Sequence, residues 1–224
     1  MSIIKKSLKE ILKRHKSYWS RKGSIFSSIS GAFLFLGSLF VSFFASFYAT
    51  DKASNSVNDL ILSNTPVFNV DFIVNEGVMI FTFFIVIILL LKPKRIPFVL
   101  KSAALFIFIR SLFITLTHLG PFPEQSFLDP NDFMRHFNLG GDYFFSGHTG
   151  LPFLIALIFW DQKIIRTIAL LTSIIFGVAV LLGHLHYSID VFAAFFITYS
   201  IFHIAIKLFK KDFNTFKNSC LDEL

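Results

Sequence analysis

Apolar residues run along this chain in long blocks, separated by short polar or charged breaks. The blocks cover about 24–49, 70–91, 97–117, 144–160, 164–183 and 187–206. A block of about 20 apolar residues, coiled as a helix, crosses a hydrocarbon layer of about 30 Å. Pro and charge punctuate them at Lys92-Pro93-Lys94-Arg95, at Asp161-Gln162-Lys163 and at Lys207 with Lys210-Lys211. The pattern predicts an all-α membrane protein, a six-transmembrane-helix bundle with no internal repeat. The fourth span is the shortest and begins inside a motif. The first block is too long for a cleaved leader, whose apolar region runs about 7–15 residues. Phe47 also fills the −3 position before Ala49, so this block reads as a retained span.

Residues 1–22 precede the bundle and carry Lys5, Lys6, Lys9, Lys13, Arg14, Lys16, Arg21 and Lys22. Ile4, Leu8, Ile11 and Leu12 recur between them at helical spacing. Two readings stand side by side: a basic amphipathic helix on an anionic leaflet, and a topology signal with no specific lipid contact. The expected organisation is a basic amphipathic segment over 1–22, a six-helix domain over 23–207 and a polar tail over 208–224.

Composition agrees with a membrane setting. The 224 residues are 54% hydrophobic and include 32 Phe, above the roughly 45–50% apolar usage of soluble domains. Mean hydropathy is +0.67. The net charge of +7 raises the question of nucleic acid. The basic residues, however, sit in short segments beside the apolar blocks, so no nucleic-acid partner is expected. The single cysteine, Cys220, excludes an intrachain disulfide and a Cys-rich metal site.

Six spans put both termini on one side. The N-terminal arm, 92–95, 161–166 and 207–217 are all basic and fall on that side, which the positive-inside rule makes cytosolic. The opposite, exoplasmic side receives 50–69, 118–143 and 184–187, with Asp51, Asp59, Glu124, Asp129 and Asp132.

Two clusters flank the exoplasmic side. One is Gly140-Gly141-Asp142-Tyr143-Phe144-Phe145-Ser146-Gly147-His148-Thr149; the other is His184-Leu185-His186-Tyr187-Ser188-Ile189-Asp190. Ionisable groups beside hydrocarbon are costly and usually line a site or a wet cavity. His186 and Asp190 are spaced i,i+4, which on a helix sets the carboxylate one turn from the imidazole. A carboxylate at one ring nitrogen fixes the tautomer and leaves the other as nucleophile or base. His148 supplies a second proton-transfer group. Gly147 permits a tight turn, and Ser146 with nearby N–H groups at a helix start suits an anionic oxygen. This set suits phosphoryl transfer through a phosphohistidine, with no metal and no cofactor. Ser146 lacks the flanking-glycine elbow of serine hydrolases.

The two clusters resemble the second and third motifs of the type 2 phosphatidic acid phosphatase superfamily, most closely its sphingomyelin synthase branch. Gly141-Asp142 through Thr149 and His186-Tyr187-Ser188-Ile189-Asp190 carry the likeness. Arg110-Ser111-Leu112-Phe113-Ile114-Thr115-Leu116-Thr117 resembles the branch's arginine-containing third helix. The resemblance implies roles. His186 attacks phosphorus, Asp190 orients it, and His148 protonates the leaving alkoxide and then activates water or a lipid hydroxyl. Asp142 is a further acidic site residue. Tyr187 joins Ser146 and Gly147 on the substrate side. The implied partners are a phospholipid or lipid phosphate, an acceptor and the membrane itself. Val180 stands where classical lipid phosphatases carry an Arg six residues before the nucleophile, and Gly140-Gly141 replaces the synthases' Cys-Gly.

Arg110, well inside the third span, is expected to bind phosphate. Lys101, near the cytosolic end, is expected to snorkel. Glu76 either pairs with Arg110 or reaches the interface. His118, Arg135 and His136 are loop residues within range of a head group. A non-catalytic lipid binder or transporter of the same fold is the competing function; it would be favoured by loss of His148, His186 or Asp190, and all three are present. A CDP-alcohol phosphotransferase would need paired Asp residues on helices, and none are found.

Overall fold

The computed structural model describes residues 2–126 and 143–221, with side chains over 8–126 and 143–219. Among these residues regular structure is wholly helical: α1 (Ser2–Trp19), α2 (Lys22–Asp51), α3 (Asp71–Val74), α4 (Glu76–Leu91), α5 (Ile96–Leu116), α6 (Gly147–Ile158), α7 (Lys163–Leu182), α8 (Ser188–Leu208) and α9 (Lys210–Leu221). Short three-ten turns lie at Leu62–Asn64 and Pro93–Arg95.

α2 shows why these sequences pack as they do. Its buried face holds Ser28, Gly31, Ser38, Ala45 and Ala49. Small side chains let a neighbouring helix come close, which is how helices associate where lipid removes the usual hydrophobic gain. The neighbour is α5, and a Cβ at Gly31 would touch the Pro97 carbonyl at 3.4 Å. The opposite face carries Phe26, Phe33, Phe40 and Phe47, all exposed and repeating every two turns. Large apolar residues point outward and small polar ones inward, the arrangement suited to a lipid surround.

α5 is the central helix. It buries Phe98, Ala104, Phe106, Ser111 and Ile114, and it meets α2 on one side and α6 and α8 on the other. α6 packs on α7 and α8, and α3 lies against α7. Gly150 marks the tightest point: a Cβ there would stand 2.6 Å from the Phe106 ring and 2.9 Å from Thr198 Oγ1. At the end of the bundle where α4 turns into α5, α1 and α9 pack around Pro93–Arg95.

Among the described residues five helices are long and apolar enough to cross a membrane: Lys22–Asp51, Asp71–Leu91, Pro93–Leu116, Lys163–Leu182 and Ser188–Leu208. These ranges follow the apolar blocks closely. The fourth block does not yield a sixth such helix. α6 has 12 residues, about 18 Å at 1.5 Å per residue, short of the hydrocarbon thickness. The start of the block, Phe144 to Ser146, becomes a loop that packs inward. Phe145 is fully buried, edge-on to Phe106 with ring centroids 5.3 Å apart. Apolarity alone does not separate a spanning helix from a buried loop.

One expectation about the opposite end is corrected. Lys101 does not snorkel. It is buried, its Nζ lies 2.7 Å from Asp212 Oδ2, and it donates to Ser27 Oγ at 3.2 Å. Ser27 also donates to the other Asp212 oxygen. The charge is answered inside because α9 folds back over it. α9 occupies the stretch expected to be a polar tail, and Phe216 docks between Phe98 and Phe159.

Removing one partner of a buried ion pair strands the other, at a cost of about 3–5 kcal/mol. Asp212→Ala is therefore expected to lower the melting temperature of the detergent-solubilised protein clearly. The double variant Lys101→Met/Asp212→Leu is expected to recover most of the loss. Thermal unfolding of the three proteins checks both.

Candidate active site

The site forms where the start of α6 meets the start of α8. Ser146 N–H donates to the Asp190 carbonyl at 3.1 Å. Ser146 Oγ caps α6, accepting from Thr149 N–H at 3.3 Å and from the Thr149 hydroxyl at 3.2 Å. The preceding carbonyl, of Phe145, accepts from Arg110 Nε at 2.8 Å. Arg110 thus reaches the loop from α5. Gly147 leaves the guanidinium uncovered on that side: a Cβ there would sit 3.4 Å from Arg110 Nε.

On the other strand of the site, α7 ends and the chain reverses within five residues. Val180, the residue in the phosphatase-arginine position, is fully buried and uses its carbonyl to accept Leu185 N–H at 2.8 Å. His184 follows with φ 54°, in the left-handed region that costs most side chains strain. Its ring is held between the Glu124 carbonyl, 2.9 Å from Nδ1, and the Thr65 carbonyl, 3.1 Å from Nε2. Tyr187 N–H then donates to Asp190 Oδ2 at 2.9 Å, and Asp190 N–H donates to the Tyr187 carbonyl at 3.0 Å. This reciprocal pair opens α8 in the manner of a capping box.

His186 lies just outside that first turn, its Nδ1 3.5 Å from Asp190 Oδ2. The two meet through the capping geometry and not as neighbours one turn apart on a helix, as the spacing alone suggested. Asp190 is fully buried and His186 nearly so. His186 Nδ1 and Asp190 Oδ1 are buried without a hydrogen-bond partner. The His148 ring comes from the first turn of α6, with its centroid 6.1 Å from that of His186.

Arg110, Gly147, His148 and His186 line one end of a cavity of about 430 Å³. The rest of its wall is mostly apolar: Phe35 and Leu39 from α2, Phe81 and Leu89 from α4, and Val99 and Ile107 from α5. Eleven residues of α5 separate Val99 from Arg110, about 16 Å along the axis. The arrangement is polar at one end and apolar down its length.

Other expected site residues lie elsewhere. The Ser146 side chain is fully buried and engaged as the α6 cap. Tyr187 is buried; its hydroxyl donates to the Gly120 carbonyl at 2.8 Å and accepts from Val57 N–H at 3.3 Å. It ties loops together behind the site. Neither residue lines the cavity. Glu76 forms no ion pair with Arg110, and its Oε2 is buried without a hydrogen-bond partner. His118 packs edge-on against Tyr48 at the end of α5. Asp142, Arg135 and His136 lie outside the described residues, as do Gly140 and Gly141. Among the described residues no group of three His, Cys, Asp or Glu is placed to hold a metal ion.

Asp59 was read only as a loop charge. It accepts Ser188 N–H at 2.7 Å with Oδ2, and Ile61 and Leu62 N–H at 2.9 and 3.1 Å with Oδ1. It therefore clamps the loop between α2 and α3 onto the first turn of α8, beside His186. Burial pushes its pKa up, but the N–H donors of Ser188, Leu62 and Ile61 together outweigh that, and the net shift is downward. No local pattern marks this residue, because its decisive contact spans 129 positions.

Residues 140–207 match the model of a family described as PAP2 superfamily C-terminal. The matched stretch contains His148, His186 and Asp190, with α6, α7 and nearly all of α8. The match supports the type 2 phosphatidic acid phosphatase superfamily, and with it an enzyme of the lipid phosphatase or phosphotransferase kind. No curated protein and no solved structure matches the chain.

Asp59 binds protons less readily in the folded state than in the unfolded one. Its stabilisation is thus fully present above the ordinary aspartate pKa near 4 and is lost as pH falls through the lower folded value. Asp59→Asn is expected to lower the melting temperature at pH 7, and to flatten the pH dependence of stability below about pH 4. Thermal melts of both proteins from neutral to acid pH measure this; identical pH curves would show that the clamp contributes nothing.

Proposed function

We propose that this chain is an integral membrane lipid phosphatase or phosphotransferase that works through a phosphohistidine on His186, at the exoplasmic face, in the manner of a sphingomyelin synthase. The observation that carries the reading is the cavity with Arg110, His148 and His186 at its polar end and an apolar wall beyond them. A phosphate ester bearing an acyl chain has that same division.

The geometry supports a two-step chemistry. His186 Nδ1 faces Asp190, so Nε2 is the nitrogen available to attack. A nucleophile approaches phosphorus from about 3–3.5 Å, and a hydrogen bond of about 2.7–3 Å reaches the leaving oxygen. The two ring centroids are 6.1 Å apart, close enough for both imidazoles to reach a single phosphoryl group. Nε2 forms the N–P bond as the P–O bond to the lipid alkoxide breaks, and His148 gives that oxygen a proton. His148, now neutral, takes a proton from water or a lipid hydroxyl, whose oxygen attacks phosphorus as the N–P bond breaks. Asp190 offsets the positive charge that builds on His186. Arg110 answers the phosphoryl charge, since its planar fork can hold two oxygens at once. Asp142, Ser146, Gly147 and Tyr187 complete the proposed set; Gly147 leaves room at the guanidinium, while Ser146 and Tyr187 act by holding the site's loops.

His186→Ala is expected to abolish turnover of labelled phospholipid. His148→Ala and Asp190→Ala should each cost at least about 10²-fold, the lower end for acid–base catalysis. Incubation with and without ceramide or diacylglycerol, followed by lipid chromatography, separates transfer from hydrolysis. An alkaline quench should preserve a phosphohistidine in the wild type and none in His186→Ala. Turnover retained by a folded His186→Ala protein would refute the covalent route. Arg110→Lys is expected to fold but to lose at least about tenfold in rate, because an ammonium cannot make the bidentate contact. Wild-type rates in a monodisperse Arg110→Ala protein would remove Arg110 from the mechanism. A reporter fused near Asn131 should behave as exoplasmic and one after Lys211 as cytosolic; cytosolic behaviour at Asn131 would reverse the proposed orientation.

A further inference from the structure

A second cavity lies at the opposite end of the bundle and shares no lining residue with the first. Its volume is about 390 Å³, and four separate pieces of chain build it: α1, the start of α2, the turn from α4 into α5, and α9. Lys13, Arg14, Arg21, Lys92 and Lys94 line it, against one carboxylate among the described lining residues, Glu10. Lys94 precedes α5, and Arg110 lies 14 residues beyond Ile96, about 21 Å along that helix, so the cations of this cavity stand far from the polar end of the first.

We infer that this basic cavity is a non-catalytic binding site for the phosphate diester of an anionic phospholipid. Lys13, Arg14 and Arg21 gather like charge on one wall of the concavity, and together they attract an anion. The first N–H groups of α2 add to the positive end, because Arg21 provides no side-chain cap. Two of the cations are arginines, able to hold paired phosphate oxygens, and Ser17 and Ser24 add hydroxyls at the wall.

The surface around the cavity decides for a lipid over a free anion. α1 exposes Leu8 and Leu12, each more than half accessible, beside its basic residues. Trp19 is partly exposed and packs edge-on to Tyr18, a lining residue, with ring centroids 5.0 Å apart. Trp at this kind of boundary sits at head-group level. With Leu8, Leu12 and Trp19 in the interface, the phosphate that meets Lys13, Arg14 and Arg21 is one carried by the leaflet itself. The site holds α1 against the membrane and against the 93–95 turn, so anionic lipid would set the position of α1.

Trp19 is also the reporter. In the Trp160→Phe protein it is the sole tryptophan, and a His186→Ala background prevents lipid turnover, so the result does not depend on the proposed reaction. The full chain is reconstituted in phosphatidylcholine vesicles containing either dibrominated phosphatidylglycerol or dibrominated phosphatidylcholine. Trp19 quenching is expected to favour the anionic lipid by about fivefold or more, given the attraction of each juxtamembrane cation for an anionic leaflet. Lys13→Gln/Arg14→Gln/Arg21→Gln should erase that preference. Lys163→Gln/Lys210→Gln/Lys211→Gln, which removes the same charge outside the cavity, should keep it and serves as the control for folding and net charge. Equal quenching by the two lipids, or an equal preference in the two triple variants, would overturn the site. Inorganic phosphate should relieve quenching no more than chloride at the same ionic strength; relief specific to phosphate would overturn the lipid as occupant.

Discussion

Asp190 ties the two histidine-bearing segments into one site. Its backbone carbonyl takes the N–H of Ser146, its carboxylate takes the N–H of Tyr187, and the same carboxylate stands beside His186. A fully buried carboxylate is tolerated only when it is answered, and here much of the answer comes from the backbone that opens α8. Helix start and His orientation are therefore one structural event. Displacing that carboxylate would loosen α8's first turn, release α6 and misplace both imidazoles together.

The surroundings serve the same constraint. Asp59 supports the first turn of α8 from one loop, and the Tyr187 hydroxyl ties it to that same loop at Val57 and to the loop after α5 at Gly120. Phe145 plugs the bundle below, and its carbonyl brings Arg110 to the loop. α6 is short because the chain before it is spent on this plug and anchor. The shortness places His148 at the head of the cavity between α2, α4 and α5.

Charge is distributed unevenly between the ends. At the histidine end His184, His186, Asp59 and Asp190 are buried and individually placed. At the other end many basic residues are exposed, while Arg95 and the Lys101–Asp212 pair that seals α9 onto α5 are held inside. A buried pair of this kind adds little net stability over an apolar pair, yet it fixes where α9 docks.

Much of this was legible in the sequence. Five spans follow from apolar block length, because a helix must satisfy its own backbone across hydrocarbon. That His148, His186, Asp190 and Arg110 would gather at one place follows from the cost of leaving such groups isolated there. The sequence alone could not show that Asp190 meets His186 through a helix cap, since one spacing serves both a helical turn and a capping box. Nor could it show that Ser146 and Tyr187 hold loops instead of lining the cavity, that Lys101 finds Asp212 across 111 positions, or that Asp59 reaches α8. Those outcomes depend on which donors and acceptors lie within about 3 Å of one another once the helices have packed. The chain's own pattern determined which segments leave water and which residue types go with them. Only the tertiary structure decided which of those residues touch, because contacts between distant segments are set by packing and not by local period.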